Sequence, residues 1–175
     1  HTRYISVTGV QTCALPIFLH HDFRIYETKK GDTAFYDPDT HALVHYKRDR
    51  YFLVNTSPHF AEFATGRKAF KYDEGTWRDA EDGRLSNAAI TEGSVDSTIA
   101  VHVNGVAEFY CWIAAGRSYA EVRDLDRKVA ADGPQSFYQQ AGDTARTLLA
   151  GSTANLAGLP DAVAQMYRQI GRAHV

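Results

Sequence analysis

The stretch Thr98–Ala114 has the sequence TIAVHVNGVAEFYCWIA and gives the strongest indication of the fold. It contains two runs rich in β-branched and aromatic residues, which are typical of strands. Between them lies Asn104-Gly105, a dipeptide that favours the type I′ turn of a two-residue β-hairpin. The stretch therefore predicts a hairpin with strands at Thr98–Val103 and Ala107–Ala114, and it indicates an antiparallel β domain.

The residues before this hairpin predict further antiparallel strands. Asp37-Pro38-Asp39-Thr40 is a turn signal, because proline pre-sets φ and aspartate side chains can bond their own backbone. The charged residues Lys47-Arg48-Asp49-Arg50 predict the tip of a hairpin. Strands are predicted at Phe18–Tyr26, Thr33–Tyr36, Ala42–Tyr46 and Tyr51–Asn55. In the first of these, Leu19, His21, Phe23 and Ile25 lie on one face. The segment Phe60–Ala64 fits a strand or a short helix.

Residues 71–97 have a different character. Lys71–Gly83 is polar and acidic, and Gly75, Gly83 and Gly93 punctuate the region. This composition predicts a long loop, and long loops inside compact domains are usually functional or disordered.

Beyond Gly116 the pattern becomes helical. Ser118 and Glu121 have the spacing of a capping box, and Val122, Leu125 and Val129 lie on one helical stripe. Three helices are predicted, at Tyr119–Ala131, at Gln135–Leu149 with an interruption at Gly142, and from Pro160 onward. A linker is predicted at Gly151–Gly158, before the third helix. The apolar face of the third helix consists of Ala162, Val163, Met166 and Tyr167.

Both ends of the chain resemble translated sequencing-adapter DNA, at Val7–Ile17 and at Ile170–Val175. We therefore expect residues 1–17 and 170–175 to be artefacts, and Phe18–Gln169 to be a piece of a longer protein. Setting aside Arg3 and Arg172 changes the formal net charge from −2 to −4.

The composition of the remaining residues excludes several classes. No basic patch favours a nucleic-acid partner, and no apolar run has the length of a membrane span. With Cys13 set aside, Cys111 has no partner for a disulfide within the fragment. We expect a cytoplasmic protein, although secretion stays open because the true N-terminus is not in the sequence.

Three ordered stretches carry a resemblance to a known family. They are His20-His21-Asp22-Phe23 with Gly31–Pro38, Gly75–Gly83 with Gly93–Thr98, and Tyr110–Gly116. Across nearly all of Phe18–Ala131 the chain resembles the bacterial and archaeal branch of family-15 glycoside hydrolases, the group that includes glucoamylases, glucodextranases and trehalase-like enzymes.

The resemblance implies a two-domain parent enzyme without a cofactor. Residues 18–116 would be the back half of an N-terminal antiparallel β-supersandwich that is incomplete at its start. Residues 117–157 would be linker helices, and 158–169 the start of an (α/α)6 barrel. In that family the barrel carries two glutamates, a general acid and a base that activates water with inversion, separated by roughly 6.5–9.5 Å. Both would lie beyond Gln169, so the parent's α-glucan or α-glucoside substrate would bind outside this fragment, which is predicted to be inactive alone.

One cluster has the residue types of a carbohydrate site, namely Trp77, Arg78, Asp79, Glu81 and Asp82. An aromatic face can stack on a sugar ring, and carboxylates can accept hydrogen bonds from hydroxyl groups. Because three nearby acids repel one another when buried, at least two should face water, Arg78 or a partner. The cluster fits a structural or interdomain loop, a loop at the rim of an active-site cleft, or a solvated face.

The other reactive residue types favour structural roles. His20 and His21 point to opposite faces of a strand, and His41 and His45 also lie in a predicted strand, so no metal site is predicted. Ser94–Ser97 lacks the strand–elbow–helix context of a hydrolase nucleophile. Cys111 beside Trp112 predicts a buried, inert thiol.

Two other classes of protein remain as alternatives. A stand-alone carbohydrate-binding β-sandwich would have no enzyme attached, and the helix over residues 158–169 would then have no purpose. A sugar epimerase can have a similar sandwich. It would need a catalytic histidine and glutamate in a concave face, and the sequence identifies no such pair.

Overall fold

The computed structural model describes residues 16–28, 30–68, 75–102, 108–150 and 158–170. The strands there are β1 Pro16–His21, β2 Asp32–Asp37, β3 Ala42–Lys47, β4 Arg50–Ser57, β5 Glu62–Arg67, β6 Ile90–Gly93, β7 Val95–His102 and β8 Tyr110–Gly116. The helices are α1 Thr76–Asp79, α2 Tyr119–Asp132, α3 Pro134–Ala150 and α4 Asp161–Ile170.

The strands form two antiparallel sheets. The smaller sheet has the order β1-β7-β5, and the larger has the order β6-β2-β3-β4-β8. Neighbouring strands pair antiparallel throughout both sheets of the described residues. The predicted fold class, a mainly β antiparallel sandwich followed by helices, is confirmed.

The two sheets pack face to face through an apolar core. Leu43 and Val54 of the larger sheet meet Ile99 of the smaller sheet, and all three side chains are fully buried. Leu19 and Phe23 pack on the same cluster, as their alternation in the sequence predicts. Burying each large aliphatic side chain stabilises the fold by about 1.5–3 kcal/mol, so this core holds the sheets together.

Helix α2 covers the opposite face of the larger sheet. Val122 is fully buried there and packs with Val44 and Leu53. The predicted apolar stripe is wrong at Leu125, whose side chain is 40% exposed, whereas Asp126 is buried. The sheet face beneath the helix offers hydrogen-bond donors at that point, and they make a buried carboxylate stable.

The carboxylate of Asp126 fastens α2 to the sheet. Its Oδ1 accepts a hydrogen bond from Trp112 Nε1 at 2.9 Å and another from Asn55 Nδ2 at 3.1 Å. Burial raises the pKa of Asp126, and the two donors oppose that shift. A buried acceptor without such donors would cost about 1–3 kcal/mol, so the three residues depend on one another.

The predicted capping box of α2 is confirmed with a small change. The Glu121 N–H donates to Ser118 Oγ at 3.2 Å, as the motif requires. The Glu121 carboxylate accepts from the Arg117 N–H at 2.8 Å, one residue earlier than the usual reciprocal donor. Both bonds satisfy N–H groups at the start of the helix, where the backbone has no partner of its own.

The predicted hairpin around Asn104-Gly105 is wrong. That dipeptide lies outside the described residues, and the two strands on either side belong to different sheets. Strand β7 pairs with β1 and β5, while β8 pairs with β4. Since both edges of β7 are occupied, it has no free edge for β8.

The first strand is shorter than predicted and begins earlier. Strand β1 starts at Pro16, and Pro16 and Ile17 pair with His102 and Val101. It ends at His21, and Ile25 lies in a 3-10 turn over Ile25–Glu27 rather than in the strand.

The predicted loop over residues 71–97 is partly wrong. Residues 75–82 contain α1 and a 3-10 turn over Ala80–Asp82, Ile90–Gly93 forms β6, and β7 begins at Val95 rather than Thr98. Residues 71–74 lie outside the described part of the chain. The undecided segment Phe60–Ala64 leads into a strand, β5.

The chain divides into two compact units, His1–Ala131 and Asp132–Val175. In the second unit α3 runs through Gly142 without the predicted interruption. Helix α4 begins at Asp161, one residue after Pro160, whose carbonyl accepts the first hydrogen bonds of the helix. The predicted linker Gly151–Gly158 lies outside the described residues except for Gly158.

The apolar face predicted for α4 is mostly exposed. Val163 and Met166 are exposed and Ala162 faces water, whereas Ala164 is buried. Tyr167 lies outside the side chains that the structure describes. None of the helices in the described ranges is both long enough and apolar enough to cross a membrane.

The buried His45 and the partly buried His21 lie in the region between the sheets. His45 is fully buried, and its Nε2 lies 2.7 Å from Ser97 Oγ. Phe23 packs against both rings, with centroids 5.0 Å from His45 and 6.1 Å from His21. Burial lowers the pKa of His45 to about 3 and that of His21 to about 4. Both rings are therefore neutral in the folded protein at neutral pH.

We expect the free energy of unfolding to fall as the pH drops from about 6.5 towards 4. Unfolded histidine binds a proton near pH 6.5, whereas the folded pKa values of His21 and His45 are lower, so acid favours the unfolded chain. Each histidine contributes a slope of no more than ~1.4 kcal/mol per pH unit in this window. Denaturant unfolding at pH 7.5, 6, 5 and 4.5 measures the slope.

The variant His45→Gln should reduce that slope by up to half, because glutamine keeps a hydrogen-bonding group near Ser97 but does not titrate. His59→Gln is the matched control, since His59 is exposed. An unchanged slope in His45→Gln, or an equal reduction in the control, would contradict the assignment.

Candidate functional site

The predicted carbohydrate cluster lies on α1 and the 3-10 turn that follows it. These two short elements cover the outer face of the smaller sheet. Leu85 and Ala80 pack there on Ala64 and Ala100, with Phe18 beside them. The cluster therefore lies on short helical elements that pack against the sheet, and not on an irregular loop.

A buried carboxylate holds the start of α1 against the sheet. The Thr76 N–H donates to Asp96, with distances of 3.0 Å to Oδ1 and 3.2 Å to Oδ2, and Asp96 is fully buried. Burial raises the pKa of Asp96, while the hydrogen bonds from Thr76 and the nearby His20 oppose the rise. Asp96 thus acts as an N-terminal acceptor supplied by β7 rather than by the helix itself.

Hydroxyl groups and one histidine extend this network along the outer face of the sheet. Thr76 Oγ1 lies 2.8 Å from Thr98 Oγ1, and His20 Nδ1 lies 3.1 Å from the same Thr98 oxygen. His20 Nε2 is 3.7 Å from Asp96 Oδ2. The network joins α1, β1 and β7, and sequence analysis missed it because its members lie up to 78 residues apart.

Glycine is needed where α1 approaches β7. A Cβ at Gly75 would lie 2.1 Å from Asp96 Oδ2, and the φ of Gly75 is +74°. At Gly66 a Cβ would lie 2.7 Å from Thr76 Cγ2 and 2.8 Å from the Thr76 nitrogen. The backbone and the carboxylate come together only because these two side chains are absent.

The side chains of the predicted site residues do not point towards one common binding position. Trp77 is 53% exposed, and the side chains of Arg78, Glu81 and Asp82 also face water. Asp79 Oδ2 accepts the Ser86 N–H at 2.8 Å, and Asp82 Oδ1 accepts the Arg84 N–H at 2.9 Å. Two of the three acids thus cap the following backbone, and Trp77 is left as an exposed aromatic surface.

The histidines of the metal hypothesis lie in separate places. His20 points to the outer face of the smaller sheet and His21 to the interior, as expected for successive strand residues. His41 lies in a turn with φ of +53° rather than in the predicted strand, and His45 is in the core. Across the described ranges, His, Cys, Asp and Glu side chains do not gather into groups of three that could hold a metal ion.

The serine segment Ser94–Ser97 contains a serine–histidine contact that the sequence did not reveal. Ser97 Oγ meets His45 Nε2, but both residues are fully buried, so no substrate can reach the hydroxyl group. Asp96 points to the opposite face of β7 and cannot orient this histidine. The pair is a core hydrogen bond, and in the described part of the chain no carboxylate accepts a hydrogen bond from His45 Nδ1 to complete a catalytic triad.

The prediction that Cys111 is buried is wrong. It lies on β8 at the edge of the larger sheet, and it is exposed. Partial desolvation raises its pKa, which is opposite to the shift that activates a nucleophilic cysteine.

A cleft of about 810 Å³ opens at one end of the sandwich. Its walls come from the end of β1, the start of β2, the end of β5 and the turn between β6 and β7. Four cationic and two acidic side chains line it, namely Arg24, Lys30, Arg67, Lys68, Asp22 and Asp32. The sequence did not indicate this cleft, because no single segment carries more than a few of its charges.

Comparison with known proteins identifies a related fold. A bacterial glucoamylase, solved in complex with acarbose, has a TM-score of 0.61 and 11% sequence identity to this chain. The similarity covers 71% of this chain and 18% of the glucoamylase. No protein-family model matches the sequence, and no curated protein matches it. At this identity the similarity establishes the fold alone.

We expect Gly75→Ala to lower the free energy of unfolding by about 2–4 kcal/mol, because its new Cβ would collide with Asp96 in a strained backbone conformation. The matched control is Gly83→Ala, where φ is +85° but no atom lies within 4 Å of the added Cβ. The control should lose only about 1 kcal/mol, from backbone strain alone. Equal losses in the two variants, measured by urea unfolding, would show that the contact with Asp96 is unimportant.

Proposed function

We propose that this chain is the accessory N-terminal β domain of a glycoside hydrolase that acts on α-glucosidic linkages. In this proposal the parent is a family-15-like enzyme with an inverting, two-glutamate mechanism in an (α/α)6 barrel. The barrel belongs to a longer protein and its catalytic glutamates lie outside this sequence. The chain itself contributes a packed sandwich and the helices that follow it.

The observation that carries the proposal is the similarity in fold to a glucoamylase. It supports the same family as the motif resemblance over Phe18–Ala131, although only 11% of residues are identical. The backbone geometry and the ordered motifs favour the same group of proteins. Their agreement favours a common origin over a chance likeness between sandwiches.

The chemistry of two buried acids, Asp96 and Asp126, fits an accessory role. Asp96 accepts hydrogen bonds from the start of α1, and Asp126 accepts them from Trp112 and Asn55. Each carboxylate is closed off by its own donors and joins one layer of the fold to the next. A general acid or base instead needs reach to a substrate atom.

The purified 175-residue chain should release no glucose from starch, maltose or trehalose, because the acid and base of the mechanism are assigned elsewhere. Glucose release is measured by a coupled assay, with a complete glucoamylase as the positive control. Hydrolysis above the buffer blank would refute the accessory role. The proposed parent enzyme is tested by the untruncated reading frame in the source DNA. Downstream of Gln169 it should encode a helical domain with two well-separated glutamates.

The exposure of Trp77 favours one alternative, a stand-alone carbohydrate-binding domain. A half-exposed tryptophan on a rigid element can stack on a sugar ring, and Asp79, Glu81 and Asp82 lie beside it in sequence. The same surface would also suit contact with a neighbouring domain. Binding measurements separate the two interpretations.

In an accessory domain, maltoheptaose should bind more weakly than about 1 mM, and Trp77→Ala should change nothing measurable. Isothermal titration calorimetry with the wild-type chain tests this. The matched control is Tyr138→Ala, which removes an exposed aromatic side chain from α3. Micromolar binding that Trp77→Ala abolishes and Tyr138→Ala preserves would favour the carbohydrate-binding module.

A further inference from the structure

We propose that the cleft at the end of the sandwich is a binding site for a small polyvalent oxyanion, carrying carboxylate or phosphate groups. The site uses none of the residues of the Trp77 cluster, so it goes beyond the proposed function. The proposal rests on the charged side chains around a cleft whose volume would hold a small molecule.

Asp32, one of the two acids that line the cleft, forms a buried ion pair with Lys47. Lys47 Nζ lies 3.0 Å from Asp32 Oδ1, and their side chains are only 10% and 4% exposed. Lys47 Nζ also donates to Thr28 Oγ1 and to the Lys30 carbonyl oxygen. Because the Lys47 ammonium group is held by these two hydrogen bonds and by its ion pair with Asp32, Lys47 fixes the loop before β2.

One wall has more positive than negative charge. Asp22 forms an ion pair with Lys68, and Arg24 Nε lies 3.9 Å from the same carboxylate. Two cations therefore share one acid. The carboxylate positions the two cationic side chains along the wall and leaves an excess of positive charge there.

Arg67 and Lys30 supply cations without a carboxylate partner among the described residues. Both are exposed and line the cleft. A Cβ on Gly93 would lie 3.3 Å from Arg67 Nε, so the guanidinium stem rests directly against the Gly93 backbone. The Lys68 N–H donates to the Ser94 carbonyl oxygen at 2.6 Å, which ties this end of β5 to the turn after β6. Arg67 therefore extends from a part of the cleft wall that hydrogen bonding and packing hold in place.

The local excess of positive charge contrasts with the chain as a whole. The full sequence has a formal net charge of −2, whereas the cleft walls hold four cations against two acids. A volume of about 810 Å³ lies within the range of small-molecule sites. The guanidinium and ammonium groups that line the cleft suit a ligand with two or more anionic groups, because arginine binds carboxylate and phosphate through paired hydrogen bonds.

The test is isothermal titration calorimetry of the full 175-residue chain with citrate and with pyrophosphate, at constant ionic strength set with chloride. The expected result is one site per chain. Arg67→Gln should weaken binding roughly tenfold, the loss typical of one charge-assisted hydrogen bond. Lys30→Gln, in an exposed loop, provides a second variant whose folding is not at risk.

The matched control is Arg84→Gln, which removes an exposed cation outside the cleft. Tighter binding of citrate assigns a carboxylate ligand, and tighter binding of pyrophosphate assigns a phosphate ligand. The proposal is overturned if neither anion binds more tightly than about 10 mM. It is also overturned if Arg84→Gln weakens binding as much as Arg67→Gln and Lys30→Gln do.

Discussion

The burial of β7 on both faces is the constraint on which the rest of this domain depends. Its alternate residues meet different layers: Ile99 packs into the core between the sheets, while Asp96 receives the start of α1 on the outer side. A central strand buried in this way must satisfy any polar group it carries, because an unpaired buried carboxylate would cost several kcal/mol. The Thr76 N–H, the glycine at 75 and the turn that follows are all arranged around that requirement.

The same logic applies on the other side of the molecule, where Asp126 of α2 meets Asn55 and Trp112. In both places a carboxylate marks the point where an added helical element docks on a sheet. Two residues of the family-like motifs, Gly75 and Asp96, are used for this docking. These two motif residues therefore have a structural role in this domain.

Local chemistry was predictable from the sequence, and long-range pairing was not. Asp37 accepts hydrogen bonds from the Asp39 N–H and the Thr40 hydroxyl group as its turn motif predicts, because these two donors lie within three residues of it. Alternation located most strands but could not choose their neighbours, so the expected β7–β8 hairpin was wrong. Alternation also does not distinguish an edge strand from a central strand, so the exposure of Cys111 on the edge strand β8 was not predicted. The charged cleft combines residues from Asp22 to Val95, which only the folded chain brings together.

Strand β8 at the edge of the larger sheet has a practical consequence. Ile113 pairs with Val54 in register and so points to the side of the smaller sheet, yet it is 51% exposed because no described strand lies over it. Tyr110–Gly116 carries neither lysine nor proline, the residues that commonly keep edge strands from joining other chains. In concentrated protein, self-association between chains would therefore begin along this strand.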